Sequence, residues 1–360
     1  MKEITDAQAG DLVSERIAEL LKRGIRIAGS DPHLLLQAMR ILRQQKKAAK
    51  RRTSLEKEGI HVPPFMIFSI THRCNLNCTG CYSKELQKGT GPEHTEDDVD
   101  RIVKEAEGLG ISIILVAGGE PLVKPWIIDV MASNKKVLFL LFTNGTMFDP
   151  GILRKLSRAP NIVPLFSIEG YEADTDERRG DGIWENSLKM MERVNKAGIF
   201  YGVSLTLNRI NYDLITSGKY VDTIIGMGCR LFIFVEYVPV KEGTETLCLT
   251  EEQNRGIIDL TAELEKKHPG LFVSFPGDED KFGGCLSSGR GFVHVNPWGD
   301  LEPCPFAPYS DMNLKKISLK DALSSDLLKK IRSNRKMLDQ MQGGCALWEN
   351  REWLRSIVSK

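Results

Sequence analysis

The sequence predicts an α/β fold in which a parallel sheet curls into a partial (β/α)6 barrel of the TIM type. From Pro64 onward, short apolar runs alternate six times with amphipathic stretches, a pattern typical of right-handed β-α-β units and a parallel sheet. The spacing of roughly 25–45 residues per unit suits a full or partial barrel. A doubly wound sheet is the alternative, but no Gly-x-Gly-x-x-Gly follows the first strand.

The same alternation gives the expected elements in order. Strands are expected at 66–70, 111–117, 137–143, 162–168, 200–207 and 230–236, and helices near 95–108, 124–133, 150–157, 184–197 and 213–227. Two further helices are expected before the barrel, and from about residue 270 Gly, Pro and Cys become frequent. These differences in pattern and composition along the sequence predict three parts: a helical N-terminal extension (1–62), a barrel core (63–269) and a small cysteine-containing domain (270–360).

Composition and charge restrict the class of protein. The 49 basic and 48 acidic residues give a net charge of +1, so no nucleic-acid footprint is indicated. No apolar run approaches the ~20 residues of a membrane span, and no secretory signal is evident, which predicts a cytoplasmic protein. The second N-terminal helix carries seven basic and no acidic residues at 40–52. This segment is either a solvated helix face or a peripheral contact with an anionic membrane or an acidic partner.

Three of the eight cysteines stand on one loop directly after the first strand. Cys74, Cys78 and Cys81 have the spacing C-x3-C-x2-C, and cytosolic thiols stay reduced. A closed zinc site would need a fourth ligand, and ferredoxin-type runs have other spacings and normally four cysteines. Three cysteines on a four-iron cluster leave one iron open for chemistry.

This loop resembles the defining motif of the radical S-adenosylmethionine (SAM) superfamily. The resemblance implies that Cys74, Cys78 and Cys81 hold a [4Fe-4S] cluster whose fourth iron is chelated by SAM. Reduction would cleave SAM and produce a 5′-deoxyadenosyl radical, which abstracts a substrate hydrogen atom. The family usually has an aromatic residue before the third cysteine, whereas this chain has Gly80, so the adenine contact is assigned to Tyr82.

Further family motifs follow at the strand ends, and the resemblance covers roughly residues 64–240. Polar clusters at the carboxyl ends of successive strands are where α/β barrels build active sites. The second strand ends in a Gly-Gly-Glu motif, and the fourth ends in Ser-x-Glu-Gly, with Glu169 in place of the usual Asp. The implied SAM-binding set is Tyr82, Gly118, Gly119, Glu120, Asn144, Ser167, Glu169, Arg179 and Ser204.

Three residues after the fifth helix are candidates for substrate chemistry. Glu236 and Tyr237 end the sixth strand, and Cys248 follows on a loop. A tyrosine or cysteine near a radical could return a hydrogen atom to the product radical. The competing interpretation is an ordinary strand end and a loop thiol.

The C-terminal cysteines resemble the opening of a SPASM or twitch domain, which carries auxiliary clusters. Cys285 and Cys304 have the spacing C-x13-G-x4-C, and an expected hairpin at 292–300 would bring them close together. A complete SPASM domain continues with four cysteines, whereas here only Cys345 follows. The resemblance implies one auxiliary [4Fe-4S] cluster, with the fourth ligand from Cys248, another side chain or substrate. A zinc site or no metal is the alternative.

These observations predict a radical SAM enzyme of unknown substrate. Relatives of this type act on small molecules or peptides. The basic helix makes a lipid-linked molecule a third possible substrate class. The all-helical segment 1–60 argues against a leader-peptide docking domain. Low-potential chemistry requires a flavodoxin- or ferredoxin-like electron donor. The alternative is a non-catalytic iron–sulfur protein that transfers electrons or senses redox state.

Overall fold

A computed structural model describes residues 4–27, 32–275, 279–338 and 345–358. It contains a nine-stranded sheet of order β7-β6-β5-β4-β3-β2-β1-β8-β9. The strands are β1 (Phe65–Ser69), β2 (Ile113–Ala117), β3 (Leu138–Thr143), β4 (Ile162–Ile168), β5 (Gly202–Leu207), β6 (Leu231–Glu236), β7 (Leu271–Phe275), β8 (Phe292–Val295) and β9 (Leu301–Glu302). Strands β1 to β8 pair in parallel, and only β9 is antiparallel to its neighbour.

The curled sheet confirms the predicted fold class, and all six expected strands lie within two residues of their observed bounds. The sheet is longer than expected because β7 pairs with β6 and β8 pairs with β1. Both added strands are short apolar runs in a region where Gly, Pro and Cys interrupt the regular alternation. The domain boundary at residue 270 therefore passes through one sheet, and the division into domains stays a prediction.

The described residues form fifteen helices, which stand before, between and after the strands. They are α1 (Asp6–Ile27), α2 (Pro32–Lys57), α3 (Tyr82–Leu86), α4 (Glu96–Leu109), α5 (Ile127–Ser133), α6 (Pro150–Leu156), α7 (Glu172–Arg179), α8 (Ile183–Lys196), α9 (Tyr212–Ile215), α10 (Gly218–Gly226), α11 (Glu251–Lys267), α12 (Leu319–Ala322), α13 (Asp326–Ser333), α14 (Ala346–Glu349) and α15 (Arg351–Val358). The helix expected at 213–227 is divided in two, because Ser217 is extended and caps α10 through the Tyr220 amide.

The N-terminal extension packs as two helices against the barrel. Arg52 of α2 is buried and donates to the carbonyl of Gly110 and to Ser14 Oγ, the latter at 2.8 Å. Burial lowers the pKa of Arg52 to about 10. The other basic residues of the run at 40–52 are exposed: Arg40, Arg43, Lys46, Lys47, Lys50 and Arg51. Among the described residues, no helix has the length and apolar character needed to cross a membrane.

Candidate active site

A cavity of about 230 Å³ opens at the carboxyl ends of the barrel strands. We call it the upper cavity. Its lining contains most of the residues that the motifs indicated: Cys74, Cys78, Cys81, Tyr82, Gly118, Gly119, Glu120, Asn144, Ser167, Arg179, Ser204, Glu236 and Tyr237. Glu169 and Cys248 are not part of this lining. The fold therefore brings together side chains that are distributed along the chain from the first strand to the sixth.

The cysteine loop is held in place by the strand ends around it. Asn75 donates to Thr146 Oγ1 at 2.7 Å and accepts from Asn144 Nδ2 at 2.9 Å, which ties the loop to the end of β3. The Thr79 amide donates to the carbonyl of Arg178 at 2.9 Å, which ties the loop to α7. Neither Asn75 nor Arg178 was among the predicted site residues: no local pattern distinguished Asn75, whereas Arg178 directly precedes the predicted Arg179 in an Arg-Arg-Gly motif.

The three loop thiols are suited to a four-iron cluster. All three are free and half-buried. Burial raises the pKa of the Cys74 thiol, and the nearby Glu120, Cys78 and Cys81 raise it further. Within the described residues, no three His, Cys, Asp or Glu side chains converge closely enough to hold one metal ion. A four-iron cluster does not require such convergence, because each cysteine binds a different iron.

Gly80 is required by its backbone conformation and by Tyr237. Its φ is +67°, and a Cβ placed there would lie 2.7 Å from Tyr237 Oη. A side chain at this position would therefore be strained and would overlap the tyrosine. The aromatic group that the family usually places before the third cysteine is absent from the loop, and the ring of Tyr237, directly after β6, lies against Gly80.

The Gly-Gly-Glu segment after β2 packs directly against the backbone of the cysteine loop. A Cβ on Gly118 would lie 2.5 Å from the Thr71 carbonyl oxygen, and one on Gly119 would lie 2.1 Å from the Arg73 carbonyl oxygen. The Glu120 amide donates to that Arg73 oxygen at 2.9 Å. The two glycines therefore allow β2 to approach the loop, whereas the sequence suggested an approach to a ligand.

Glu120 places a buried carboxylate in the upper cavity. It accepts hydrogen bonds from Thr143 Oγ1 and the Asn144 amide, both at 2.8 Å, and from the Leu122 amide at 3.1 Å. Burial raises the pKa of Glu120, and these three hydrogen bonds oppose the rise. A carboxylate offers about four acceptor positions, so Glu120 retains capacity to accept from a ligand.

Glu169 orients two arginines and lies outside the cavity lining. Its Oε1 pairs with Arg178 and with Arg179, whose Nε lies 2.9 Å away. Its Oε2 accepts from the Thr206 amide at 3.2 Å. In this arrangement Arg179 is half-buried on the cavity lining, and Glu169 fixes its direction. The direct ligand contact predicted for Glu169 stays a prediction.

Glu236 and Tyr237 present unpartnered polar atoms on the cavity lining. Glu236 Oε1 and Tyr237 Oη are both buried without a hydrogen-bond partner. Burial raises the pKa of Glu236 to about 7, although Asn254 hydrogen-bonds to the carboxylate. Cys248 is half-buried on a separate loop, with Glu236 and Glu349 among its charged neighbours. The catalytic roles expected of these three residues stay predictions.

The C-terminal cysteines form a second, buried group. The expected hairpin is present as β8 and β9. Cys285, Cys304 and Cys345 are each 7% exposed or less, and Cys345 is an electrostatic neighbour of both other cysteines. Burial raises the pKa of the Cys285 and Cys304 thiols well above the usual range. The Arg290 guanidinium lies beside them, since Nη1 donates to the Cys285 carbonyl at 2.6 Å.

The two cysteine groups are connected by aromatic side chains. Tyr82 follows Cys81 and packs against Phe306, with ring centroids 5.2 Å apart. Pro305 and Phe306 directly follow Cys304 and line the upper cavity. The C-terminal segment therefore contributes a wall of the cavity, which the sequence motifs did not predict.

Comparison with known proteins agrees with this geometry. Residues 68–214 match the Radical SAM superfamily. The AdoMet-dependent heme synthase of Methanosarcina barkeri is 25% identical over 80% of this chain and 89% of its own length. The mycofactocin maturase MftC of Mycolicibacterium smegmatis is 26% identical over 69% of this chain and 66% of its own length.

Two solved structures share the fold. Streptococcus suis SuiB bound to S-adenosylmethionine has a TM-score of 0.65 and 18% identity over 84% of this chain and 77% of SuiB. Native anSMEcpe with bound AdoMet has a TM-score of 0.60 and 16% identity over 82% of this chain and 99% of its own. Because the curated relatives are enzymes, they favour an enzyme over the non-catalytic alternative. Residues 68–214 of this chain carry a Radical SAM domain, and the proteins it resembles are enzymes that include relatives of the SPASM/twitch maturase type.

Proposed function

We propose that the chain cleaves SAM reductively in the upper cavity, using a [4Fe-4S] cluster held by Cys74, Cys78 and Cys81. The observation that supports this most directly is that these three thiols and Glu120 line the same cavity. When bound, the reduced cluster would supply the electron that breaks the C5′–S bond of SAM, giving methionine and a 5′-deoxyadenosyl radical that would abstract a substrate hydrogen atom.

The surrounding residues bind and orient SAM. Glu120 accepts from its amino group, because this buried carboxylate faces the cysteine loop. Arg179, fixed by Glu169, pairs with its carboxylate or hydrogen-bonds to its ribose. Ser167 and Ser204 lie opposite each other on β4 and β5 and offer hydroxyls on the cavity lining. Tyr82 contacts the adenine.

We infer a second role for the C-terminal cysteines, as ligands of one auxiliary [4Fe-4S] cluster. Cys285, Cys304 and Cys345 are buried and mutually adjacent, and the cationic Arg290 lies beside them, which favours an anionic cluster. Three cysteines leave a fourth position for Cys248, another side chain or substrate. The cluster transfers electrons or binds substrate, and the domain boundaries at residues 62 and 269 remain part of this proposal.

Partners follow from the chemistry and from the relatives. A flavodoxin- or ferredoxin-like protein in the same compartment supplies the low-potential electron. Some relatives act on peptides, as the names PqqA peptide cyclase and SuiB with its precursor peptide state. We propose a small-molecule, peptide or lipid-linked substrate for this chain, in the cytoplasm, and the exposed basic face of α2 offers a contact for an anionic surface.

Anaerobic reconstitution tests both clusters. We expect about eight iron atoms per chain, two four-iron clusters, and 5′-deoxyadenosine when dithionite and SAM are added. About four iron atoms with 5′-deoxyadenosine would remove the auxiliary cluster from the proposal. Full clusters that yield no 5′-deoxyadenosine, with or without candidate substrates, would contradict SAM cleavage.

Cysteine variants assign each cluster to its ligands. Cys74→Ala should abolish 5′-deoxyadenosine formation, whereas Cys304→Ala should lower the iron content by about half. Cys229→Ala is the matched control, because Cys229 is also a free, fully buried cysteine but belongs to neither group. If Cys229→Ala lost as much iron as Cys304→Ala, the assignment of the auxiliary ligands would be wrong.

A further inference from the structure

A second cavity of about 230 Å³ lies inside the barrel below the upper cavity. We call it the floor cavity. It is lined almost entirely by apolar side chains of the sheet and of α1, including Leu138, Leu140, Leu231, Ile233 and Leu271. Among its polar lining residues, Arg16 is occupied by an ion pair with Glu265 at 2.9 Å. Nothing in the radical chemistry proposed above uses this space.

The strand residues that face the barrel interior change from apolar to polar along the barrel axis. On β3, Leu138 and Leu140 line the floor cavity, and Asn144 follows at the upper cavity. On β4, Val163 and Leu165 form an apolar cluster, and Ser167 lies above them on the upper cavity lining. The lower half of the interior is therefore almost wholly apolar, and polar side chains appear among the apolar ones in the upper half.

The floor cavity is a real space and not a fully packed core. On β3 the residues that face the outer helices, Phe139 and Leu141, are fully buried, whereas the inward Leu138, Leu140 and Phe142 remain half-buried. Interior side chains of a packed sheet normally exclude such space. Helix α1 closes the floor with a row of residues on one face: Val13, Arg16, Ile17, Leu20 and Leu21.

The two cavities are adjacent. Leu115, Phe142, Val235 and Phe275 line both of them. Because these four side chains border both spaces, a ligand in the floor cavity would lie directly next to the upper cavity and the site of radical formation. A molecule with a polar head and an apolar chain matches the order of polarity along the axis.

We propose that the floor cavity binds the apolar chain of an amphiphilic substrate whose polar head lies in the upper cavity. The assignment to a substrate rests on the proposed function, whereas the binding site does not. Apolar cavities of about 150 Å³ accommodate benzene, so by simple scaling this volume accommodates an alkyl segment of about nine carbon atoms. The apolar chain of the ligand is recognised through burial of its methylene groups, and the ligand's head is recognised by the polar groups of the upper cavity.

A fluorescence titration with dansyl-labelled undecanoic acid tests the site on the full chain, without clusters or SAM. We expect saturable binding, and competing fatty acids should gain about fourfold in affinity per methylene until the cavity is filled at about nine carbons. Leu140→Trp fills the floor from β3 and Leu20→Trp fills it from α1, and each should weaken binding at least about tenfold, the loss of roughly two methylene contacts.

Leu36→Trp is the control, because Leu36 is 66% exposed on α2 and should leave binding unchanged. Two filling variants on different elements guard against misfolding of either one, which thermal unfolding would reveal. Absence of saturable binding, or equal binding by wild type and both filled variants, would overturn the proposal. Because the titration needs no cluster, its failure is distinct from a failure of SAM cleavage.

Discussion

Replacing Gly80 with alanine should destabilise the apo-protein by about 2–5 kcal/mol. The first contribution is backbone strain: at φ +67° a residue with a Cβ costs about 1–2 kcal/mol. The second is overpacking, because the new Cβ would lie 2.7 Å from Tyr237 Oη and 3.2 Å from Tyr237 Cε2. Forcing an extra carbon into a packed site typically costs about 1–3 kcal/mol.

A matched variant separates these two contributions. Gly59 has φ +78°, and a Cβ there meets nothing within 4 Å, so Gly59→Ala should show only the backbone term of about 1–2 kcal/mol. Tyr237→Phe removes the hydroxyl that the Cβ would meet, so Gly80→Ala should cost less in that background. Urea unfolding of the apo-protein measures each free energy, provided the m-value stays constant. Equal costs for Gly80→Ala and Gly59→Ala, or no relief from Tyr237→Phe, would refute the reasoning.

Three further predictions follow from buried charged groups. Glu120→Gln should lower the free energy of unfolding by about 1–3 kcal/mol, because an amide N–H₂ would face hydrogen-bond donors, and equilibrium dialysis should show weaker SAM binding. Glu236 binds a proton more tightly in the folded protein, because its pKa is raised to about 7. The free energy of unfolding should therefore fall by up to about 3 kcal/mol between pH 4.5 and pH 7. Urea unfolding of the Glu236→Gln variant should not show this fall. Arg52→Leu should cost about 2 kcal/mol by leaving the Gly110 carbonyl unpaired, whereas Lys50→Leu, at an exposed position, should change urea unfolding little.

The barrel could be predicted because each strand and helix has its own local signal. The apolar run 162–168, for example, can be recognised as a strand from its own residues and those next to it in sequence. The observed strand has the bounds that were predicted. Strands β7 and β8 were harder, because their membership in the sheet depends on pairing with β6 and β1 rather than on a repeated pattern. The division of one expected helix into α9 and α10 depends on Ser217, whose side chain caps α10 and so competes with continuation of the preceding helix.

The candidate site could be predicted only where its residues are close together in sequence. The spacing of Cys74, Cys78 and Cys81 and the Gly-Gly-Glu segment are local patterns, and all of them line the upper cavity. The partners that position them lie far along the chain, as Phe306 does for Tyr82. Such contacts arise from tertiary packing between residues far apart in the chain. They therefore produce no characteristic residue spacing in a single sequence.

These distant contacts explain how the cysteine loop keeps its conformation. The described residues of the loop form no regular helix or strand between β1 and α3, so its order comes from Asn144, Arg178 and the segment after β2. These attachments come from the end of β3, from α7 and from the segment after β2, and all are brought to the loop by the curled sheet. The loop therefore depends on the barrel for the arrangement of its thiols. A substitution such as Asn144→Ala, which removes the hydrogen bond to Asn75, should reduce iron incorporation by the loop without changing any cysteine.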